Sequence, residues 1–501
     1  MDFPLTVHSG HCAGAVVGGT GVSREFWTFS ARIPNEARLT RGERVDVLTE
    51  GRSVTPQAVT WGFTPAILLS VVLNPLNSAT ISVGLEVLLT ALHSGSSGIT
   101  WIVSGYYLGS AVAQPIMGTL GDRLGYRKFL YVGLALVLLT AVLAPLSHNL
   151  WIFVAWRVVQ AVGTSMVFPN AIGLVRRWQQ HRMPLMLGWI GMAAGIALAV
   201  GPALGGLLIA NFGWQAIFWL NIPIALAAGV LLWLSVPDGG AAQATGSRGW
   251  DLWGSSLFSM LMVLLLLWST GAVPAAMDAA LGAGAAAVLV LLITVESRQA
   301  RPVIPVRWFK HPIFSVAGSV TVVTNLVMYI ALYGIPVLLE TRRHFSVTAS
   351  GFMLLIFAGT MALASPVGGR AARRRARRMP VLVASGILVL ASLILWLQNR
   401  APVLWVGVAL ALLGLSFAVS NVLLQQVVLE LAPASQAGSA SGLYSLLRYV
   451  GTMASSVVIA DAFKRPSSIG ILYASLVGAS SLSFLLSFLM PRYRAVKDPG
   501  Q

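Results

Sequence analysis

The sequence predicts an all-α polytopic membrane protein, a bundle of fourteen transmembrane helices, and three observations lead there. Of its 501 residues 56% are hydrophobic and only 10% are charged, with a mean hydropathy of +0.79, whereas soluble domains carry about a quarter charged residues. Apolar runs bounded by polar or Gly/Pro breaks fall at 62–92, 99–120, 129–146, 150–175, 186–209, 216–235, 252–270, 279–295, 313–339, 350–368, 380–397, 403–430, 437–462 and 469–490. Each is near the length of about 20 residues that crosses a bilayer as a helix. Of the 33 Lys and Arg, twenty lie in the C-terminal tail or the loops after spans 2, 4, 6, 8, 10 and 12, against five (Arg342, Arg343, Arg400, Lys464, Arg465) in the alternate loops. Basic residues collect on cytoplasmic loops, so both termini are expected in the cytoplasm.

The net charge of +17 is therefore a topology feature and not a nucleic-acid footprint: residues 1–60 carry six Arg against six acids, and the whole excess belongs to the apolar part. No nucleic-acid partner is expected. The single cysteine, Cys12, excludes an internal disulfide, and no Cys/His cluster offers a metal site. All seven histidines lie outside the span cores, which leaves no ligand for a membrane haem. The Gly-rich stretch Gly14–Gly21 has no strand before it and no helix after it, so it is not a phosphate loop. Residues 1–60 read as a cytosolic tail, disordered or translated from a mis-assigned start.

Span 1 carries Asn74, Asn77 and, as the acid well inside the first half, Glu86. After span 2 stands Gly118-Thr119-Leu120-Gly121-Asp122-Arg123-Leu124-Gly125-Tyr126-Arg127-Lys128. Glycines at this spacing let two helices approach, and an Asp beside basic residues can build a charge network across helix ends. Neighbouring positive charge should keep Asp122 ionised. This run resembles the signature loop of the major facilitator superfamily, G-x-x-x-G-D-R-x-G-R-[RK]. Pro115 and Gly118 recur 251 residues later as Pro366 and Gly369, with Arg373 where the Asp would stand. Two repeated halves suit a transporter whose site lies between them.

Span 4 holds Trp156-Arg157-Val158-Val159-Gln160-Ala161-Val162-Gly163, an arginine inside an apolar span and so a functional candidate. It resembles the superfamily's R-x-x-[QG]-G motif, whose Arg is linked to proton transfer. Span 5 contains Gly191, Gly195, Gly201, Pro202, Gly205 and Gly206, followed by Gly213-Trp214-Gln215 and Asn221-Ile222-Pro223. Small residues make a flat packing face and Pro202 allows a bend. The G-P-x-x-G-G ending resembles the antiporter signature of drug exporters, with Gln215 in place of a usual Arg. Spans 7 and 8, with no charge inside them, read as a linker pair. Span 13 offers Arg448-Tyr449-Val450-Gly451, resembling R-[QN]-x-G.

Together these features resemble the fourteen-spanner drug:proton antiporter subfamily over about residues 61–490. The organisation implied is a tail (1–60), a first six-helix bundle (61–235), a loop with two linker helices (236–312), a second bundle (313–490) and a tail (491–501). The resemblance extends back to span 1, where Asn77 stands at the usual Asp and Glu86 at the usual Pro. An amide cannot carry a proton, so Arg157 and Glu86 are the coupling candidates, with Glu430 or Asp461 as later resorts. Polar pocket candidates are Asn77, Gln114, Asn170, Asn325 and Asn421.

The function implied is export of small amphipathic compounds by alternating access, driven by a proton gradient, from a monomer in the cytoplasmic membrane in contact with lipids. No cofactor is expected. An ATP-driven pump lacks its phosphate loop, and an intramembrane hydrolase lacks G-x-S-x-G and H-E-x-x-H. Symport uptake and a substrate-sensing receptor on a transporter scaffold are the alternatives.

Overall fold

The computed structural model describes residues 61–94, 97–236, 251–270, 277–299, 302–345, 347–373, 378–397, 402–464 and 469–490, which belong to one compact unit, Pro56–Gln501. The two tails lie outside the described residues. The chain is helical throughout these segments: α1 (Phe63–Ala91), α2 (Ser97–Leu124), α3 (Tyr126–Leu143), α4 (Leu150–Trp178), α5 (Met183–Phe212), α6 (Asn221–Ser235), α7 (Leu252–Thr270), α8 (Asp278–Arg298), α9 (Pro312–Tyr329, continued to Arg343), α10 (Val347–Ala372), α11 (Arg378–Leu397), α12 (Val403–Leu431), α13 (Ala437–Lys464) and α14 (Ile469–Phe488). In lipid only a helix or a closed barrel satisfies its own backbone, so apolar runs of this length fold as helices.

The helix ends extend a few residues past the apolar runs, and three connections depart from simple loops. Between α2 and α3 only Gly125 breaks the helix, at φ +105°, a conformation that a side chain would strain. The glycine- and arginine-rich segment expected as a loop is therefore the last turn of α2 and the first of α3. Span 6 is split: a single turn, Ala216–Trp219, precedes α6. α9 passes through one π turn, Ile330–Gly334, ahead of Pro336.

Eleven of these helical segments are long and apolar enough to cross a membrane. The expected count of fourteen is reached only by adding α2, α7 and α13. The sequences of α2 and α13 are diluted by Gly, Ser and polar residues that meet each other across the bundle, and α7 is apolar over Leu252–Leu265. The linker pair is not free of charge at its ends: Asp251 and Glu296 are buried there, 5% and 0% exposed. Glu296 accepts the Ile304 N–H at 3.2 Å, and Asp251 accepts the Gly254 N–H at 2.9 Å. The segment beyond α8 reaches α2, where Thr119 donates to the Val303 carbonyl at 3.4 Å.

The first half (α1–α6) and the second (α9–α14) meet through two matching helix pairs, α2 with α13 and α5 with α10. A Cβ on Gly442 would sit 2.7 Å from Pro115 Cα, and one on Gly188 would sit 3.1 Å from Pro366 Cα. A Cβ on Gly118 would lie 2.3 Å from the Gly438 carbonyl oxygen, and one on Gly369 would lie 2.5 Å from the Pro184 carbonyl oxygen. The Pro/Gly repeat in the sequence thus marks two matching places where the backbones of opposite halves touch.

Candidate functional site

Polar side chains inside an apolar bundle must find partners with one another, and here they gather in three places. The first is inside the first half. Asn77, 2% exposed, donates to the Leu73 carbonyl at 2.8 Å, and its Oδ1 accepts from Gln160 at 3.3 Å and Asn221 at 2.9 Å. Gln160 in turn accepts from Arg157 through Oε1. The guanidinium lies 4.2 Å from the centre of the Tyr106 ring, and Tyr106 bonds Thr164 at 3.1 Å. Arg157 is 2% exposed and its Nε has no partner. Among the described residues no carboxylate pairs with it; amides and a ring face hold the charge. Of the two coupling candidates, Arg157 is thus placed within a network of neutral groups, while the side chain of Glu86 lies outside the described residues, as does that of Asp461. Gln160 and Asn221 complete the network; both stand in the quoted motif runs, but nothing local shows that they converge on Asn77.

The second place is the end of the bundle that carries the α2–α3 and α4–α5 turns, here the basic end. Asp122, past the apolar part of α2, reaches the first turn of α13. Its Oδ1 accepts the Gly438 N–H at 2.7 Å and the Tyr126 hydroxyl at 2.7 Å. Its Oδ2 accepts the Ser439 N–H at 2.7 Å and the Ser439 hydroxyl. The carboxylate therefore caps the N-terminus of a helix from the opposite half, where unpaired N–H groups and the helix dipole favour negative charge. Burial nonetheless pushes its pKa up to about 6, against hydrogen bonds from Ser439, Tyr126 and Gly438 that lower it. The flanking arginines do not set this value: burial raises it and hydrogen bonds oppose the rise, so the carboxyl is ionised above about pH 6 and takes up its proton below.

The remaining residues of this run have separate tasks. Gly121 lets α2 lie on α4, since a Cβ there would meet the Asn170 side chain at 1.6 Å. Arg127 stacks 5.6 Å from the centre of the Tyr131 ring, Arg123 is half-buried and Lys128 is exposed. Arg176, at the end of α4, donates to the Ala432 carbonyl of the second half at 2.7 Å.

The third place is the seam between halves, further along α2 and α13 from the Asp122 cap, which latches the two halves together. Gln114 on α2 donates to the Tyr449 hydroxyl on α13 at 3.2 Å. Tyr107 on α2 and Tyr333 on α9 join hydroxyls at 3.2 Å, and the rings of Tyr329 and Tyr333 lie 5.7 Å apart. Beside Tyr449, and within the second half, Arg448 donates through Nε to Asn325 Oδ1 at 3.4 Å. A Cβ on Gly451 would meet the Val322 carbonyl oxygen at 2.2 Å, so this glycine lets α13 press on α9 beside Arg448. Tyr107 and Tyr333 did not stand out in the sequence, where 226 residues separate them, and nothing local to Tyr449 points to Gln114, 335 residues away.

The span-5 glycines divide between two neighbours. Gly191 and Gly195 face Ser365 and Ala362 of α10, whereas Gly201 and Gly205 face Ala79 and Thr80 of α1. Pro202 and Gly206, half-buried, lie between and beyond the second pair. The structure does not bring Asn170 or Asn421 to the seam. Asn170 bonds the Met166 and Met117 carbonyls, tying α4 to α2, and Asn421 accepts from the Tyr444 hydroxyl at 2.7 Å within the second half.

The comparisons agree with this architecture. Residues 67–456 match the family model of the Major Facilitator Superfamily. The chain is 31% identical over 412 residues to the Uncharacterized MFS-type transporter YwoD of Bacillus subtilis, covering 80% of this chain and 90% of that one. It is 31% identical over 429 residues to the Tetracenomycin C resistance and export protein of Streptomyces glaucescens, covering 83% and 77%. Multidrug resistance protein Stp of Mycobacterium tuberculosis is 26% identical over 443 residues, covering 85% and 77%. Among solved structures, the proton:xylose symporter XylE superposes with a TM-score of 0.63 at 14% identity, over 86% of this chain and 94% of that one, a likeness of fold alone. With its paired halves, its Asp122 latch and a family match over most of its length, the chain belongs to the Major Facilitator Superfamily: a multi-pass membrane transporter of small molecules, and not an enzyme.

Proposed function

We propose that this transporter exports small amphipathic compounds from the cytoplasm in exchange for protons, its two six-helix bundles (61–235 and 313–490) rocking about the seam while α7 and α8 flank them. In this reading it is a monomer in the cell membrane, with both termini and the basic end cytoplasmic and its arginines against anionic lipid headgroups. The observation that carries the direction is α5, whose glycines serve both sides of the movement. Gly191 and Gly195 pack on the opposite half, Gly201 and Gly205 on α1 of the same half, and the G-P-x-x-G-G run is the exporter-type feature of the sequence. Relatives named for drug resistance and export support it.

Coupling needs a titratable group, and the Asn77–Gln160–Arg157 network supplies none. Glu86, nine residues beyond Asn77 on α1 and about 13 Å along the helix axis, is the proposed carrier. In proteoliposomes with an interior pH dye, substrate addition releases protons from the parent, and Glu86→Gln abolishes the release while binding survives. Parental proton exchange in Glu86→Gln removes Glu86 from the mechanism; absence of proton movement in the parent refutes antiport itself.

A further inference from the structure

The seam carries a permanent positive charge, Arg448, with no described acid paired to it. Arg157 lies apart from it, inside the first half, where Gln160 and the face of Tyr106 hold it. Arg448 is held only through Nε, by Asn325 at 3.4 Å, so among the described residues its two terminal nitrogens donate to nothing. A guanidinium fork with both ends open is the donor geometry that grips a carboxylate or sulfonate in bidentate fashion.

The surroundings are aromatic and only partly buried. Tyr329 stands one helical turn beyond Asn325, the partner of Arg448, on α9, and Tyr449 follows Arg448 on α13. Both are half-buried, as is Arg448, and Tyr333 keeps 44% of its surface open. Tyrosines offer flat apolar faces and hydroxyls to a planar ring. They can also cage a cation, but a cationic guest would meet the like charge of Arg448, which no carboxylate among the described residues pairs.

We propose that the seam site takes planar aromatic anions, the acidic group in the Arg448 fork and the ring among Tyr329, Tyr333 and Tyr449, and that it discriminates against aromatic cations. This rests on the transport reading above and names the substrate class of that same seam.

Two xanthene dyes of similar skeleton and opposite charge test it: fluorescein, a dianion at pH 8, and rhodamine 6G, a cation. Binding is measured by equilibrium dialysis on the full chain in nanodiscs, with empty nanodiscs subtracted. Fluorescein is expected to bind at least about tenfold more tightly than rhodamine 6G, the worth of one charge-assisted contact. Arg448→Gln is expected to remove that advantage and Arg448→Lys to retain part of it. Asn325→Asp, nearly isosteric, sets a carboxylate beside the fork and is expected to weaken fluorescein by at least about tenfold while leaving rhodamine 6G equal or tighter. Equal or tighter rhodamine 6G binding by the parent, no measurable fluorescein binding, or fluorescein affinity unchanged in both Arg448→Gln and Asn325→Asp overturns the proposal. Cells that export rhodamine 6G through a chain that ignores fluorescein would keep the export reading and sink this one. A chain that binds fluorescein with these charge effects yet moves nothing would do the reverse.

Discussion

Gly118→Ala should open the basic end of the bundle. A Cβ at this position would stand 2.3 Å from the Gly438 carbonyl oxygen and 2.7 Å from its carbon, both backbone atoms that cannot rotate away. Restoring an ordinary 3.4 Å contact requires α2 and α13 to part by about 3.4 − 2.3 = 1.1 Å. The Asp122 bonds to the Gly438 and Ser439 N–H groups, 2.7 Å each, would stretch to about 3.8 Å, beyond hydrogen-bond length. Hydrogen bonds to a charged group contribute about 1.5–3 kcal/mol each. After rehydration of the freed groups we take about 3 kcal/mol as the net loss, which shifts the closed-to-open ratio by about a hundredfold. The assay is the distance between spin labels on exposed positions of opposite halves, His181→Cys and Ser435→Cys, in a Cys12→Ser background. The parent should show a short, narrow distribution and Gly118→Ala a longer, dominant one, with lowered transport at normal protein level. Gly282→Ala on α8, where nothing lies within 4 Å of the added Cβ, serves as the neutral control. A Gly118→Ala distribution that superposes on the parent, with parental transport, would refute the seam as a tight latch.

The same label pair should respond to pH. Asp122 titrates at about 6 when the latch is closed and near the ordinary value of about 3.9 once water reaches it. The closed form therefore binds the proton more tightly, so this contribution to closure is full below about 4 and lost as pH rises through 6. The closed fraction should rise between pH 7.5 and 5, and Asp122→Asn should flatten the curve; a parental slope in Asp122→Asn counts against the assignment. Gly201→Leu combined with Pro202→Ala should lower efflux at least several-fold, because a Cβ on Gly201 already meets the Ala79 methyl at 2.5 Å, and unchanged efflux in a susceptibility assay argues that α1–α5 packing is immaterial. Gln160→Leu strips Arg157 of its hydrogen-bond partner and should cost about 1.5–3 kcal/mol, read as a drop of several degrees in detergent melting temperature, whereas a parental melting curve would show that the Tyr106 ring alone holds the charge.

The sequence by itself determined the all-helical membrane class, the repeat and the family, because the bilayer imposes its demand locally: a span must be apolar over its own length and satisfy its own backbone. That is why runs such as 252–270 and 403–430 become α7 and α12 with ends moved by at most one residue, and why Pro115/Gly118 and Pro366/Gly369 were recognisable as equivalent. It also showed that Asn77 and Arg157 were unusual. It did not show what they touch. Asp122 finds its partners 316 and 317 residues away on a helix whose serine and glycine look ordinary, and Tyr107 meets Tyr333 across 226 residues. Which face of a helix looks at lipid and which at the other half leaves only a weak trace in spans that are apolar all round. Whether an arginine is answered by an acid, an amide or a ring, and whether a buried carboxyl keeps its proton, was decided by packing between distant helices, because desolvation and hydrogen bonding depend on neighbours that only the tertiary structure brings together.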